Sequence, residues 1–295
     1  MRALVTGGTG FVGNVLAQAL RGAGWEVHAI VRPGSAAART DQLSAAGCVL
    51  HRHDGSLQGM REIIAIAQPA CTWHLATLFI ADHSSEDVIP LVRTNVEFGA
   101  LLLEALSTRP QAPLVTAGTA WQQHDNAPYS PISLYAATKQ AFDALAVYFA
   151  EVRRMRIVEC LLTDTYGTVD PRKKLLWALA NAVRTGTPLP MSGEGRQLMD
   201  LLHVDDAVRA LLIAGERARG GVPGLQERWA VRPGQPITVR ELVERYARAR
   251  GVSVPVEWGA RPARPRETLV PWTAGVVLPG WTPRIALDAG LAGLA

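Results

Sequence analysis

A tyrosine and a lysine four residues apart offer the clearest catalytic chemistry in the sequence. Tyr135 and Lys139 lie near the start of a predicted helix, Ser133–Arg153, and their i, i+4 spacing puts both side chains on one face of it. An ammonium about 4 Å from a phenol stabilises the phenolate by roughly 4 kcal/mol at an effective dielectric constant of about 20, which lowers the phenol pKa by about 3 units. The pair therefore predicts a tyrosine that acts as a general acid near neutral pH.

The second chemical signal is a glycine-rich turn. Residues Thr6–Gly13 form a G-x-x-G-x-x-G pattern between a strand-like run and an amphipathic stretch. Such glycines allow a tight turn, a close approach of a pyrophosphate to the backbone, and close packing of helix on strand, while the helix N-terminus offers free N–H donors. The pattern predicts a dinucleotide site. Its cofactor-binding residues are Gly7, Gly10, Phe11, Val12 and Gly13.

The end of the second predicted strand bears on which dinucleotide binds. An acidic residue there would accept hydrogen bonds from the 2′-hydroxyl of NAD, but Ile30–Ser35 contains Arg32 and no acid. Because an arginine can pair with a 2′-phosphate, NADP (NADPH) is the expected cofactor, with NAD possible; the alternative is an ordinary surface arginine. Asp54, after the third predicted strand, is a candidate for the adenine amino group or else a helix N-cap.

A regular scaffold must position these residues. Short apolar runs alternate with amphipathic stretches up to Leu162, after which proline and glycine become frequent. The predicted fold is α/β: a Rossmann-type, doubly wound parallel sheet over residues 1–163 and a smaller, irregular substrate-binding domain over 164–295, with helix 204–219 returning to the first. The predicted strands are Ala3–Val5, Val27–Val31, Cys48–Leu50, Thr72–Leu75, Pro113–Val115 and Ile157–Leu162, and the predicted helices lie near Gly13–Arg21, Leu57–Ala67, Val88–Ser107 and Ser133–Arg153.

Composition excludes several classes of protein. The chain has 295 residues, of which 19% are charged, with 30 Lys+Arg against 26 Asp+Glu and no basic run as long as about five residues, so neither disorder nor a nucleic-acid partner is expected. No apolar run reaches about 18 residues and no signal-peptide pattern is present, so no membrane association is expected. Cys48, Cys71 and Cys160 lack metal-site spacing; they predict no metal and fit buried thiols in a cytoplasmic protein.

Motifs spread over nearly the whole chain carry a family resemblance. They are Thr6–Gly13, His74–Ala76, Asn95–Val96 with Leu101–Ala105, Tyr135–Lys139, Tyr166–Gly167 and His203–Ala207. On these motifs the chain resembles the extended short-chain dehydrogenase/reductases, the nucleotide-sugar epimerase/dehydratase group. Gly118–Gln122, Tyr129–Pro131, Leu134–Phe142 and Asp164–Lys174 are similar to the branch of CDP-abequose and CDP-paratose synthases, which reduce nucleotide-linked 4-keto-6-deoxyhexoses at C4.

The resemblance implies further roles. Lys139 would bind the nicotinamide ribose as well as lower the Tyr135 pKa, and Leu75 and Ala76 would line the dinucleotide. A hydroxyl after the fifth strand would hold the substrate oxygen; Thr119 is the candidate and Thr116 the runner-up, unless Thr119 only satisfies its own turn. The remaining substrate-binding candidates are Trp121, Tyr135, Asp164, Lys174, Arg196 and Arg264.

The chain departs from the family pattern at three places. Ala120 and Trp121 follow Thr119 where sugar 4,6-dehydratases carry Asp-Glu, so dehydration is not expected. Asp164 stands where many relatives have asparagine, and a carboxylate cannot donate a hydrogen bond unless it is protonated. Met199 replaces a phosphate-binding arginine. The resemblance then points to Arg264 as the residue that binds the diphosphate, with Arg196 and Lys174 as the next candidates. The alternative for each of the three is a solvated cation on the surface.

These features predict an enzyme, an NADPH-dependent nucleotide-sugar 4-ketoreductase of deoxysugar biosynthesis. A nucleotide-sugar 4-epimerase that retains NAD would use the same residues, and a non-catalytic dinucleotide-binding protein is the alternative of another class. The resemblance also implies a homodimer built on Val88–Ser107 and Ser133–Arg153. The alternative is a monomer in which both apolar stripes serve the core.

Overall fold

The computed structural model describes residues 1–168, 170–263 and 266–294. Its strands are β1 Arg2–Thr6, β2 Glu26–Val31, β3 Val49–Arg52, β4 Cys71–His74, β5 Leu114–Thr119, β6 Ile157–Leu162, β7 Asp164–Tyr166, β8 Leu189–Ser192, β9 Leu198–Met199, β10 Leu201–His203, β11 Gln226–Val231, β12 Ile237–Thr238 and β13 Val256–Arg261. Its helices are α1 Phe11–Gly22, α2 Ala37–Ala45, α3 Leu57–Ala67, α4 Val88–Val92, α5 Phe98–Leu106, α6 Leu134–Arg153, α7 Leu175–Thr185, α8 Val204–Gly220, α9 Val239–Arg250 and α10 Leu287–Ala292.

A seven-stranded parallel sheet organises the molecule, in the order β3-β2-β1-β4-β5-β6-β11. The chain winds outward from β1 in one direction and from β4 in the other, so the order reverses between these neighbours. Ligands of open α/β sheets bind beyond the carboxyl ends of the strands at such a reversal. This arrangement confirms the predicted Rossmann-type fold and places the glycine-rich turn at the reversal.

Apolar side chains on both faces of the sheet explain why the strands read as continuous apolar runs. In β2, Val27, Ala29 and Val31 belong to the core on the side of α1 and α8, whereas Ile30 belongs to the core on the side of α3, α5 and α6. All six residues of β6 are buried. The sheet is therefore covered on both faces, as the sequence predicts.

The predicted single helix over Val88–Ser107 is interrupted. Helices α4 and α5 are separated by a π-helical turn, Arg93–Glu97. At its centre the buried Asn95 amide donates to the Leu78 carbonyl at 3.0 Å and to the Thr138 hydroxyl at 2.9 Å, and its oxygen accepts from the Leu78 amide at 2.7 Å. Single π turns are frequent at functional sites. This one ties the segment after β4 to α6.

The C-terminal half of the chain contributes to two regions. Helix α8 packs on the large sheet through Ala207 and Leu211, and β11 pairs with β6, so this sheet receives a strand that the sequence alone did not indicate. The strand begins with the polar residues Gln226–Arg228, so its sequence lacks the continuous apolar run that indicated the other strands. The small sheets β7–β10, β8–β13 and β9–β12 surround a separate apolar core with α7, α9 and α10.

Candidate active site

The glycine-rich turn has no room for side chains. Gly7 has a φ of +75°, and a Cβ there would lie 2.5 Å from the Leu75 carbonyl carbon, while a Cβ on Gly13 would lie 2.2 Å from the Gly7 oxygen. The Gly10 amide donates to the Gly7 carbonyl at 2.9 Å, and α1 begins one residue later. The backbone thus forms a bare cradle at a helix N-terminus, which is the shape and polarity that a pyrophosphate requires.

One cleft of about 1090 Å³ brings together most of the predicted site. It runs from the glycine-rich turn across the carboxyl ends of the strands to the loop before α7. Among the predicted site residues, those that line it are Gly7, Gly10, Phe11, Val12, Gly13, Arg32, Asp54, Leu75, Ala76, Thr119, Trp121, Tyr135, Lys139, Asp164 and Lys174. The cofactor-binding and catalytic candidates therefore face a single space.

Tyr135 is a buried phenol whose acidity differs from the sequence-based expectation. Burial raises its pKa to about 12, and the Arg172 guanidinium and the Thr77 hydroxyl oppose this only in part. Lys139 is not among the groups that lower the Tyr135 pKa. The expected shift toward neutrality is therefore absent from this structure, because desolvation outweighs the nearby positive charge. The phenol remains protonated at neutral pH and is ready to donate.

Lys139 lies one helical turn further along α6 and is 3% exposed. Burial lowers its pKa, while the negative charges of Asp143 and Glu159 raise it. Its ammonium lies 5.9 Å from the centre of the Phe142 ring. The lysine thus faces carboxylates behind the cleft on one side and the cleft itself on the other.

Thr119 ends β5 and caps the short turn Ala120–Gln122. Its hydroxyl accepts from the Trp121 amide at 3.3 Å, and its own amide donates to the Gln122 side-chain oxygen at 2.8 Å. The hydroxyl satisfies its own turn and still keeps a proton to donate to a ligand. Thr116, the runner-up, is buried in β5 at 3% exposure and is not among the residues that line the cleft.

The two predicted adenosine-side residues, Arg32 and Asp54, line the cleft beyond the carboxyl ends of β2 and β3. The Arg32 side chain is exposed at the end of β2, and its backbone amide donates to the Ser35 hydroxyl at 3.1 Å. The Asp54 carboxylate accepts from the amide and hydroxyl of Ser56 at 2.8 and 3.0 Å. Ser56, not Asp54, is the N-cap of α3. The N-cap alternative for Asp54 is therefore wrong.

A second cavity of about 360 Å³ adjoins the cleft and shares Trp121, Asp164 and Lys174 with it. The Lys174 ammonium lies 3.7 Å from the Asp164 carboxylate. Burial lowers the Lys174 pKa and Asp164 partly restores it. Arg196 is not brought to either cavity, because its side chain is 84% exposed and pairs with Glu194 at 3.4 Å. Arg264 lies outside the described residues.

Arg172 is a cleft residue that the sequence reasoning did not assign. Its guanidinium is held by Asp170 at 2.6 and 2.7 Å and by the Thr165 carbonyl at 2.9 Å, and it lies 4.6 Å from the centre of the Phe11 ring. Of the neighbouring charges, it lowers the Tyr135 pKa most. The sequence did contain a signal that could have pointed to this residue, because three consecutive cations follow a proline in Asp170–Lys174.

Among the described residues, no group of three or more histidine, cysteine, aspartate or glutamate side chains is arranged to hold a metal ion. Over the same residues, no helix combines the length and the apolar character needed to cross a membrane.

Sequence and structural similarity agree with this geometry. Residues 3–226 match the NAD dependent epimerase/dehydratase family. The chain belongs to that family. Its relatives include the dTDP-glucose 4,6-dehydratase of Streptomyces griseus, 28% identical over 98% of this chain and 91% of that protein, and the UDP-glucose 4-epimerase of Mycolicibacterium smegmatis, 27% identical over 99% and 96%. The structure of MoeE5 in complex with UDP-glucose and NAD superposes with a TM-score of 0.81 at 25% identity, covering 99% of this chain and 96% of that one.

Membership of the epimerase/dehydratase family confirms the resemblance drawn from the motifs. The particular branch, the 4-ketoreductases, is not named among these relatives and stays a proposal.

Proposed function

We propose that the protein is an NADPH-dependent reductase of a nucleotide-linked 4-keto-6-deoxyhexose at C4. The observation that carries this proposal is the single cleft in which Thr119, Tyr135 and Lys139 face the same space as the glycine-rich cradle. Relatives that act on, or bind, dTDP-glucose and UDP-glucose support a nucleotide-sugar substrate. The second cavity beside the cleft offers such a substrate additional room.

The turn after Thr119 distinguishes reduction from dehydration. Removing water across C5–C6 requires an acid and a base beside that bond. The turn carries Ala120, Trp121 and Gln122, and none of these side chains can supply them. Although dehydratases are among the relatives, this part of the site favours a reaction that needs only proton transfer at C4.

The side chains of the cleft account for the proton transfer and for binding of the cofactor and the substrate oxygen. A reduced nicotinamide dinucleotide, held through its pyrophosphate by the cradle of Gly7, Gly10 and Gly13, would supply hydride to C4. Tyr135 donates its proton to the C4 oxygen, so that the carbonyl becomes a hydroxyl, and the Thr119 hydroxyl donates a hydrogen bond to the same oxygen. The charged Lys139 then favours the phenolate that Tyr135 has become. The exposed Arg32 pairs with the 2′-phosphate of NADPH.

Epimerisation is the second candidate, because a UDP-glucose 4-epimerase is among the relatives and the MoeE5 structure is a complex with UDP-glucose and NAD. The two functions differ in cofactor turnover. A reductase consumes one NADPH for each sugar. An epimerase oxidises and re-reduces C4 and leaves NAD unchanged.

Incubation with NADPH and a panel of CDP-, dTDP- and UDP-linked 4-keto-6-deoxyhexoses tests the proposal. We expect loss of the absorbance of the reduced nicotinamide with at least one sugar. Tyr135→Phe should lower turnover by about 10²–10⁴-fold, as expected for a missing general acid. Tyr148→Phe is the matched control, because Tyr148 lies on the same helix and is 52% exposed.

Retained NAD and interconversion of sugar epimers without NADPH consumption would establish the epimerase instead. If none of the sugars is turned over, the remaining candidate is a non-catalytic dinucleotide-binding protein.

We also propose that the protein is a homodimer through α4 and α6. The family resemblance suggests this arrangement, but most of the apolar residues at helical spacing in these segments, such as Leu91 and Phe142, are buried in the chain's own core. Other apolar side chains remain exposed on the same helices and carry the proposal in their place. These are Ile89, Val92, Val147, Tyr148 and Val152.

A further inference from the structure

Two aromatic side chains, Phe79 and Trp121, pack beside the ring of Tyr135. The centre of the Phe79 ring lies 5.0 Å from that of Tyr135, with the two rings at 77°, and 5.5 Å from that of Trp121. The ring centres of Trp121 and Tyr135 are 6.4 Å apart, at 78°. Edge-to-face contacts of this kind are favourable between aromatic rings. We call Phe79 and Trp121 the aromatic wall.

The aromatic wall lies where the cleft and the second cavity meet. Phe79 and Trp121 line both spaces, whereas Tyr135 lines only the cleft. A substrate that occupies the second cavity and presents its reacting carbon to Tyr135 therefore lies along the wall. The wall is close enough to the phenol to contact groups that neighbour the reacting carbon.

Both rings are carried by backbone that hydrogen bonds fix in place. The Leu78 amide, next to Phe79, donates to the Asn95 side-chain oxygen at 2.7 Å, and the Leu78 carbonyl accepts from the Asn95 side-chain amide at 3.0 Å. The Trp121 amide donates to the Thr119 hydroxyl at 3.3 Å. The wall is therefore preformed, and the turn that presents Thr119 also positions one of its two rings.

The aromatic wall has almost no capacity for hydrogen bonds. A phenylalanine ring has no polar atom, and the Trp121 indole has one N–H, which can donate but not accept. The charges beside the wall are already paired, since the Lys174 ammonium lies 4.8 Å from the centre of the Phe79 ring and 3.7 Å from the Asp164 carboxylate. The wall therefore suits an apolar group, and the paired charges beside it do not favour a carboxylate.

We propose that the aromatic wall binds the C6 methyl group of the 6-deoxyhexose and discriminates against sugars that carry a hydroxyl at C6. This inference rests on the proposed function, which puts the C4 oxygen within about 2.6–3.2 Å of the Tyr135 hydroxyl. C6 is attached to C5, a direct neighbour of C4, so it lies close to the same phenol. The other neighbour, C3, bears a hydroxyl in such sugars and needs polar partners, so the methyl is the group that matches the wall.

The chemistry of the aromatic wall sets the size of the discrimination. A C6 hydroxyl placed against it loses water and can accept only from the Trp121 N–H, while its own proton finds no acceptor on either ring. Apolar pockets disfavour an added hydroxyl by about 10–100-fold in affinity. Because the indole compensates in part, we expect the lower value, about tenfold.

Isothermal titration of the NADPH-loaded protein tests this, because sugars that already have a C4 hydroxyl are not reduced. The probes are glucose and 6-deoxyglucose, each linked to UDP, dTDP or CDP. We expect the 6-deoxy form to bind about tenfold more tightly. Trp121→Gln and Phe79→Gln should each lower this ratio to about two or less, since a glutamine amide can accept the hydroxyl proton. Trp121→Phe, which keeps a ring and removes the N–H, should retain the ratio. Trp177→Gln is the matched control, because Trp177 is 42% exposed and lines neither space.

Equal binding of the two sugars, tighter binding of the glucose form, or no binding of any sugar overturns the proposal. So does an unchanged ratio in the folded glutamine variants, and having two of them keeps the test decisive if one does not fold. Tighter binding of UDP-glucuronic acid than of UDP-6-deoxyglucose would also overturn it, because Lys174 would then select a carboxylate.

The test separates this proposal from the proposed function. If the sugars bind with the expected ratio but no 4-keto sugar is reduced, the proposed reaction fails while the role of the aromatic wall stands. If a 4-keto-6-deoxyhexose is reduced but the ratio does not depend on Phe79 and Trp121, the reaction stands and the wall does not recognise C6.

Discussion

Replacing Arg32 with alanine should weaken NADPH binding much more than NADH binding. The Arg32 side chain is exposed at the end of β2, lines the cleft, and has no acidic residue beside it in Ile30–Ser35. The two cofactors differ only in the 2′-phosphate, so a loss confined to NADPH reports that contact alone.

The size of the effect follows from the exposure of Arg32. Hydrogen bonds to charged groups contribute about 1.5–3 kcal/mol. Solvent screens an exposed pair, so we expect the lower value, about 1.5 kcal/mol, which is roughly a tenfold rise in the KM for NADPH. The KM for NADH should change by less than about twofold, because NADH lacks the 2′-phosphate with which the Arg32 guanidinium would pair.

Steady-state kinetics with each cofactor, at low and at high salt, measures this difference. Arg52→Ala is the matched control, since Arg52 is also exposed and ends the neighbouring strand β3 but is not among the residues lining the cleft. The discrimination should shrink as salt increases. Equal changes with NADPH and NADH would refute the 2′-phosphate assignment and favour NAD as the natural cofactor.

Three other predictions address the cradle, a buried histidine and assembly. Gly13→Ala should abolish cofactor binding in a calorimetric titration and destabilise the fold by about 1–3 kcal/mol, because the new Cβ would lie 2.2 Å from a backbone oxygen. Gly22→Ala is the control and should bind the cofactor normally, because Gly22 has open space around it. The unfolded chain binds a proton at His74 near the ordinary histidine pKa of 6.5, but the folded chain does so only at about 3, so the free energy of unfolding should fall by about 1.6 kcal/mol between pH 6.5 and 5. Urea unfolding of His74→Asn should lack this pH dependence, which would identify His74 as its source. Light scattering at micromolar concentration should give the mass of two chains and, for Val147→Lys, that of one; a single-chain mass for the unmodified protein would end the dimer proposal.

Local spacing was enough to predict the scaffold and the chemical groups. The alternation of apolar runs predicted the parallel sheet, and the glycines of Thr6–Gly13 predicted the cradle, because both patterns reflect contacts between residues close in the chain. The i, i+4 spacing of Tyr135 and Lys139 likewise depends only on the helix that carries them. Each of these features can be recognised without knowing which distant parts of the chain pack against it.

Burial and long-range contacts decided what those groups can do. Burial reversed the expected shift of the Tyr135 pKa, and the charge that opposes it most comes from Arg172, which only the fold brings near. The tertiary structure also placed Thr119 on the cleft and kept Thr116 inside the sheet. Arg228 reaches Asp143 across 85 positions of sequence because β11 joins the sheet beside β6. Sequence spacing determined which groups are present, but desolvation and charge pairing depend on everything packed around them.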